Sequence, residues 1–360
     1  MSAVIQKPGA VSKPARDFTF IKPAARRLTE YEALTVHQQP DPSGYDMAGG
    51  GRFGPEAFLL RSDGSTLWKE DSTKLRHPDW YRYRDPAQHW QRTYIRSQEQ
   101  QETAIERATE DAGLNGTLAT LSPEWVGQVL SKHWRAWSHL EYAIFRTLCP
   151  AQREALSDTI SCVLCFQSFD HLRHAQDVIV YLVELERFNK SVDDAAGRKA
   201  WMEDPCYQPA RHLAERILNT GDWGELMIGL NLVVGPLLQQ LALSALVRGN
   251  AGANGDDVAV NIITTTERDR RRNLAATEAF VRMVVDPSIP QADANRAVIQ
   301  AWIDTWDAMA TKAATALAPV FETVPNRTVD FQSAYAKARG SADAVVKGLG
   351  FTTTTSAGAP

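Results

Sequence analysis

Apolar residues recur at helical spacing along most of this chain. Residues 88–112 read as a helix rich in Gln, Glu and Arg. Ser122-Pro-Glu then offers an N-cap followed by proline at the first helical position. The helix it opens carries Trp134, Trp137, Leu140, Glu141 and Ile144 at helical intervals to about residue 148, where Cys149-Pro150 is expected to break it. The next run, residues 152–189, contains neither proline nor glycine. A charged connection over 191–198 leads to smaller helical pieces ending at Asn219-Thr-Gly221. Residues 222–248 are apolar on nearly every face, which marks a central buried helix. Gly235-Pro236 is expected to kink it, because proline removes a backbone donor. Further helices are expected over 256–285 and from Pro290, past Trp302 and Trp306, to about Pro325. No strand pattern and no solenoid repeat appears. The fold class is all-α, and long helices with short connections favour an antiparallel bundle.

The two ends differ from this middle. Residues 1–90 carry Pro40, Pro42, Gly44 and Gly49-Gly-Gly51 with no sustained amphipathic helix. Yet Phe18, Phe20, Tyr31, Tyr45, Phe53, Phe58 and Trp68 are scattered through them, more aromatics than a disordered tail carries. This is the composition of an extended arm that packs on something. From Gly340 onwards the chain thins into Thr352-Thr-Thr-Thr355, and mobility is expected there. The division is therefore 1–90 arm, 91–325 helical core, and 326–360 C-terminal extension and mobile tail.

A net charge of −4 gives no electrostatic case for nucleic acid or an anionic membrane surface. The four cysteines are too few and too irregular for a disulfide framework, which fits a reducing cytoplasm. The N-terminus lacks the apolar core of a signal peptide. The apolar segment 226–247 contains Asn231, Pro236, Gln239 and Gln240, and reads as a buried helix rather than a membrane span. Most of the ten tryptophans read as core packing in a large helical protein.

The candidate chemistry sits in Ser168-Phe-Asp-His-Leu-Arg-His-Ala-Gln176. His171 and His174 share a helix face at i,i+3, and Asp170 stands three residues before Arg173. Ionisable groups so dense in a core-type helix must be paired or ligated. Glu141 is the carboxylate that can join the two imidazoles. Di-iron bundles take one Glu from each of two helices and a Glu-x-x-His pair from each of the other two. About a hundred residues later, Asp269-Arg-Arg-Arg-Asn273 repeats the layout of Asp170 to His174, but the ligand places hold Arg270 and Asn273. Arginine stays protonated and offers no lone pair. The apolar helix that should supply a fourth carboxylate has none beyond Glu225. Two iron ions therefore have no site here. Arg270 is expected to pair with Glu141, supplying the positive charge that iron once gave.

Other features read as structure. Cys162-x-x-Cys165 lies mid-helix without a second ligand pair. Gly49-Gly-Gly51 follows no strand and precedes no Gly-Lys-Ser/Thr. His133 and His139 read as structural, and the Arg268–Arg272 cluster points to several helix faces.

Doubled Asp-Glu-x-Arg-His layouts belong to the catalytic subunit of bacterial multicomponent di-iron monooxygenases, and this chain resembles the paralogous small (β) hydroxylase subunit. The matching stretches are Asp79-Trp-Tyr-Arg-Tyr-Arg-Asp-Pro86, Tyr94 through Glu102, His139-Leu-Glu141, and Phe169 to Gln176; the likeness covers roughly residues 17–330. It is greatest to the propane and alkene oxidising members, with the toluene, phenol and methane enzymes sharing the plan. The resemblance implies a ferritin-like (ribonucleotide-reductase-like) long-helix bundle with an extended N-terminal arm. It implies no catalytic residue, cofactor or metal in this chain, with Glu141, His171, His174, Arg270 and Asn273 as vestigial di-iron positions. Asp170, Arg173, Asp269 and Arg272 become supporting pairs behind them that bridge the two helices. The implied partners are a catalytic α subunit holding the di-iron centre, a second hydroxylase protomer, a γ subunit in some members, a coupling protein, and a reductase with NADH, FAD and Fe–S. The α subunit inserts one oxygen atom of O2 into propane or another small hydrocarbon. The competing reading is a stand-alone ferritin-like oxidase with altered ligands. A binding or storage bundle fits the arm and the paired motifs less well.

Overall fold

The computed structural model describes residues 27–36 and 70–354. Its helices are α1 (Glu30–Thr35), α2 (Gln91–Leu114), α3 (Thr117–Thr120), α4 (Arg135–Glu154), α5 (Asp158–Glu186), α6 (Asp194–Glu203), α7 (Gln208–Leu218), α8 (Trp223–Ile228), α9 (Gly249–Ala251), α10 (Asp257–Val284), α11 (Ala292–Ala316), α12 (Ala318–Glu322) and α13 (Phe331–Gly348). Two π-helical stretches complete them. Trp125–Trp134 leads into α4, and Gly229–Arg248 joins α8 to α9 as one continuous helix. Among the described residues no strand forms.

Side chains at the helix starts fix where these elements begin. Ser157 Oγ accepts from the backbone N–H of Ile160 at the head of α5. Asp256 does the same for Ala259 at the head of α10, and also accepts from Trp125 Nε1 and Tyr181 OH, each at 2.8 Å. One cap residue thus ties three helices together. α4 lies along α5, while α10, α11 and α13 pack on the central helix through Gly229–Arg248. α5 and α10 run antiparallel, since Asp170 meets Arg272, Arg173 meets Asp269 and Tyr181 meets Asp256. The central helix is apolar and long enough to cross a membrane, but most of it is buried inside the bundle. Trp125, Trp137, Trp223 and Trp306 are fully buried. Trp306 lies flat against Gly229, where any β-carbon would come within 2.3 Å of its ring.

Two local expectations need correction. Cys149-Pro150 does not end its helix: α4 continues through Pro150 to Glu154. Proline there costs one backbone bond close to the helix end, and the last turn tolerates that loss. At the expected kink, Pro236 sits inside the π-helical stretch, and the helix continues past it. Among the described residues, 341–354 do not form a loose tail. α13 buries Ala334, Ala338, Ala342 and Val346, and Phe351 and Thr353 are buried after it. Of residues 1–90, α1 is held by a Thr29/Glu32 capping box, and the backbone N–H of Asp85 donates to Tyr31 OH at 3.1 Å. Trp80 packs edge-on against Trp223 at 5.6 Å. Phe18, Phe20, Tyr45, Phe53, Phe58, Trp68 and Gly49 to Gly51 lie outside the described residues.

Candidate functional site

The polar centre of the bundle forms where α4, α5, α10 and the central helix face one another. α4 contributes Glu141; α5 contributes Asp170, His171, Arg173 and His174; α10 contributes Asp269, Arg270, Arg272 and Asn273. Glu141 Oε2 lies 2.5 Å from His171 Nδ1 and 3.7 Å from His174 Nδ1. Its other oxygen accepts from Gln239 Nε2 at 2.8 Å. Glu141 is 2 % exposed and each imidazole residue 4 %. Burial alone would raise the Glu141 carboxyl, but the charge and hydrogen bond of His171, followed by His174, hold it well below the usual carboxylate range.

Behind this trio stands a crossed set of carboxylates and guanidinia. Asp269 accepts from Arg173 Nη2, from Arg272 Nη1 at 3.1 Å, from His174 Nε2 at 3.2 Å and from Gln98 Nε2 at 3.2 Å. Asp170 accepts from Arg272 Nη2, from Asn273 Nδ2 at 3.0 Å and from Tyr94 OH at 2.9 Å. The Arg272 guanidinium also lies over the Tyr94 ring, 5.3 Å from its centre. Burial works against charge on His174, yet its hydrogen bond to Asp269 and the Glu141 carboxylate 3.7 Å away raise its pKa. Burial likewise opposes the Asp269 carboxylate, and His174 and Arg173 outweigh it, holding the group low. The bridging of α5 to α10 through Asp170, Arg173, Asp269 and Arg272 is thus present as pairs in space.

Arg270 stands elsewhere. No ion pair joins it to Glu141; Nη2 donates to Ser244 Oγ on the central helix at 3.2 Å, and buried Nη1 has no partner. Burial lowers its pKa, with Glu141 acting only as a more distant counter-charge. The direct Arg270–Glu141 contact expected from the sequence is therefore incorrect. At helical spacing, residue 270 faces the central helix while 269 and 273 face α5. The residue that does reach Glu141 is Gln239, which sequence reasoning did not assign. Its signal was an amide in an otherwise apolar helix.

Glu141, His171 and His174 can each offer a ligand atom, all within 4.8 Å of one another. The set does not fit two iron ions. Only one carboxylate is present, Asn273 is committed to Asp170, Gln239 presents an amide donor, and the Arg270 guanidinium adds positive charge. His174 Nδ1, 3.7 Å from Glu141 Oε2, makes no hydrogen bond.

The other candidates are structural. His133 bonds Tyr207 OH at 2.9 Å and Thr323 Oγ1 at 3.2 Å, and His139 stacks on Trp201 at 5.7 Å. Cys162 and Cys165 are free and half-buried; burial pushes their thiols up to about 12 and about 11, which leaves no thiolate at neutral pH. Glu225 pairs with Arg216 Nη2 at 2.5 Å and accepts from Trp306 Nε1 at 3.1 Å.

A family model described as Methane/Phenol/Alkene Hydroxylase matches residues 61–287. The hydroxylase component small subunit of propane 2-monooxygenase from Rhodococcus jostii (strain RHA1) is 27% identical over 341 residues, spanning 94% of this chain and 90% of that protein. The methane monooxygenase component A beta chain of Methylosinus trichosporium is 28% identical over 305 residues, spanning 82% and 75%. A chain in the crystal structure of xenon-pressurized phenol hydroxylase from Pseudomonas sp. OX1 superposes with a TM-score of 0.73 at 21% identity, covering 91% of this chain and 92% of that one. That likeness, with a second at TM-score 0.69 to toluene 4-monooxygenase, places the bundle in the ferritin-like fold.

Proposed function

Because the chain belongs to the methane/phenol/alkene hydroxylase family, as a small hydroxylase subunit, we propose that it scaffolds a larger catalytic chain and carries out no oxygen chemistry itself. The observation that supports this reading is the donor set around Glu141. One carboxylate, already accepting from His171 and Gln239, replaces the several that a pair of iron ions requires. On this reading Glu141, His171, His174, Arg270 and Asn273 are vestigial positions. Asp170, Arg173, Asp269 and Arg272 persist because they hold two helices together.

The larger (α) subunit then holds the di-iron centre and inserts one oxygen atom of O2 into a small hydrocarbon. NADH is the ultimate electron donor, through a reductase carrying FAD and Fe–S, and a small coupling protein completes the cytoplasmic system. The R. jostii relative favours propane or a similar alkane or alkene as substrate. Residues 1–90 serve as an arm on a neighbouring subunit, 91–325 as the ferritin-like core, and 326–360 as a C-terminal extension, in an assembly with two copies of each hydroxylase protomer.

One observation favours a second reading, a stand-alone oxidase using a single metal: Glu141, His171 and His174 converge, and His174 Nδ1 has no partner. Purification separates the two. The chain alone should carry no stoichiometric iron and consume no O2 with NADH, and activity should appear only with the large subunit, coupling protein and reductase. Stoichiometric iron together with turnover in the isolated chain would overturn the scaffold reading.

A further inference from the structure

The outer face of the bundle carries a groove between α2 and the second half of α5. It encloses about 1440 Å³, beyond the range of roughly 300–1,000 Å³ usual for small-molecule sites. α2 is 24 residues long, about 36 Å at helical rise, so the groove has the length of a docked helix. Its apolar side chains are unusually bare: Ile95 is 52%, Leu114 88%, Phe169 47% and Val180 61% exposed. Large apolar groups exposed together, rather than singly, mark an interaction surface.

Charge narrows the occupant. Six carboxylates line the groove (Glu99, Glu102, Glu106, Glu110, Asp177 and Glu184) against two guanidinia, Arg173 and Arg187. Both guanidinia are already engaged, Arg173 with Glu102, Asp177 and Asp269, and Arg187 with Glu184. Among the described residues Glu99, Glu106 and Glu110 have no ion pair. At the groove floor, burial pushes the Asp177 carboxyl up to about 7, with Arg173 opposing and the Glu102 charge adding to the rise. An arriving cation would relieve that concentration of negative charge.

We propose that this groove is the seat of the large hydroxylase subunit, filled by a helix of that subunit with an apolar stripe flanked by lysine or arginine. The inference rests on the small-subunit reading above and adds to it the face and the chemistry of contact.

The test is co-expression of the full chain with the large hydroxylase subunit of the same organism, followed by co-purification and an affinity measurement. The Ile95→Glu/Val180→Glu pair should lower affinity at least about 100-fold, as loss of central apolar anchors does. Met202→Glu, on the separate helix α6, should leave the complex intact and report any general surface effect. Glu106→Lys/Glu110→Lys should slow association about tenfold and flatten its salt dependence. Far-UV circular dichroism and melting of the variants establish that they fold. If an Ile95→Glu/Val180→Glu variant folds poorly, the Lys pair, exposed and away from the core, carries the same decision. A wild-type complex that survives both sets unchanged overturns the groove while leaving the small-subunit reading in place. A homodimer abolished by the same variants gives the groove to a second copy and overturns the proposal. A wild-type chain that binds no large subunit removes the small-subunit reading, and this inference with it.

Discussion

Replacing Asp269 with asparagine should cost this chain about 3–5 kcal/mol of stability, the usual effect of removing one partner from a buried ion pair. Asp269 is 1 % exposed and accepts from Arg173, Arg272, His174 and Gln98. Taken singly, hydrogen bonds to charged groups contribute about 1.5–3 kcal/mol each, so a simple sum would exceed this figure. The sum fails because the donors keep other partners. Arg173 retains Asp177 and Glu102, and Arg272 retains Asp170. Asparagine leaves one acceptor oxygen and turns an NH2 group towards these donors, so at least one guanidinium or imidazole hydrogen is left facing a donor. For a chain of this size the expected fall in Tm is roughly 10 °C. Urea titration of wild type, Asp269→Asn, Arg173→Met and the double variant gives the coupling between the two side chains, expected at about 2–3 kcal/mol. The Asp269 pKa is held below its unfolded value. Its own charge therefore contributes fully above about pH 4, and that contribution is lost only as pH falls through the depressed folded-state value, so the gap between wild type and Asp269→Asn should be present at neutral pH and close only in strong acid. A loss under about 1 kcal/mol with no coupling would refute the view that these pairs join α5 to α10.

Two further outcomes follow from other parts of the bundle. Gly229→Ala should destabilise by about 3 kcal/mol, since its β-carbon would sit 2.3 Å from the Trp306 ring; in a Trp306→Leu background the cost should fall to about 1 kcal/mol or less, measured by urea titration. Asp158 is 3 % exposed, its Oδ2 has no partner, and burial pushes its carboxyl up to about 7. The folded state thus binds this proton more tightly than the unfolded one, so wild-type stability should fall as pH rises from about 4 to 7. Asp158→Asn should remove its own share of that slope, Asp177 keeping its part, and be more stable by about 1–3 kcal/mol at pH 8, after allowing for the favourable charge at the head of α5. Equal stability of the two proteins at pH 8 would contradict the buried, unpaired assignment.

The helices themselves were legible because their apolar spacing is strong and proline, glycine and acidic caps punctuate them. The α5–α10 pairing of Asp170, Arg173, Asp269 and Arg272 came from the family resemblance, and it agrees with the rule that buried opposite charges neutralise each other. The partner of Arg270 was not legible. It depends on which face of α10 meets the central helix, a matter of tertiary geometry that spacing within α10 leaves open. Gln239 was hidden for the same reason, its partner Glu141 being 98 residues away. α13 escaped notice because its buried face is Ala334, Ala338 and Ala342, small side chains that weigh little in an apolar pattern but let helices approach closely. Pro150 misled because proline ends a helix only when the bonds it removes matter, and close to the end of α4 they do not.

The crossed pairs between α5 and α10 also act as a ruler. In the observed alignment Asp170 meets Arg272 and Arg173 meets Asp269. Slide α10 by one turn, about 5.4 Å, and Asp269 would face Asp177 while Arg272 faced His174. Slide it the other way and both charges would face Phe169 and Phe166. Either slip would strand buried charge, at several kcal/mol, whereas an all-leucine seam would have allowed each at little cost. A bundle that keeps these four residues without a metal therefore keeps the alignment of its helices, and an assembly partner meets a single surface instead of a family of slipped ones.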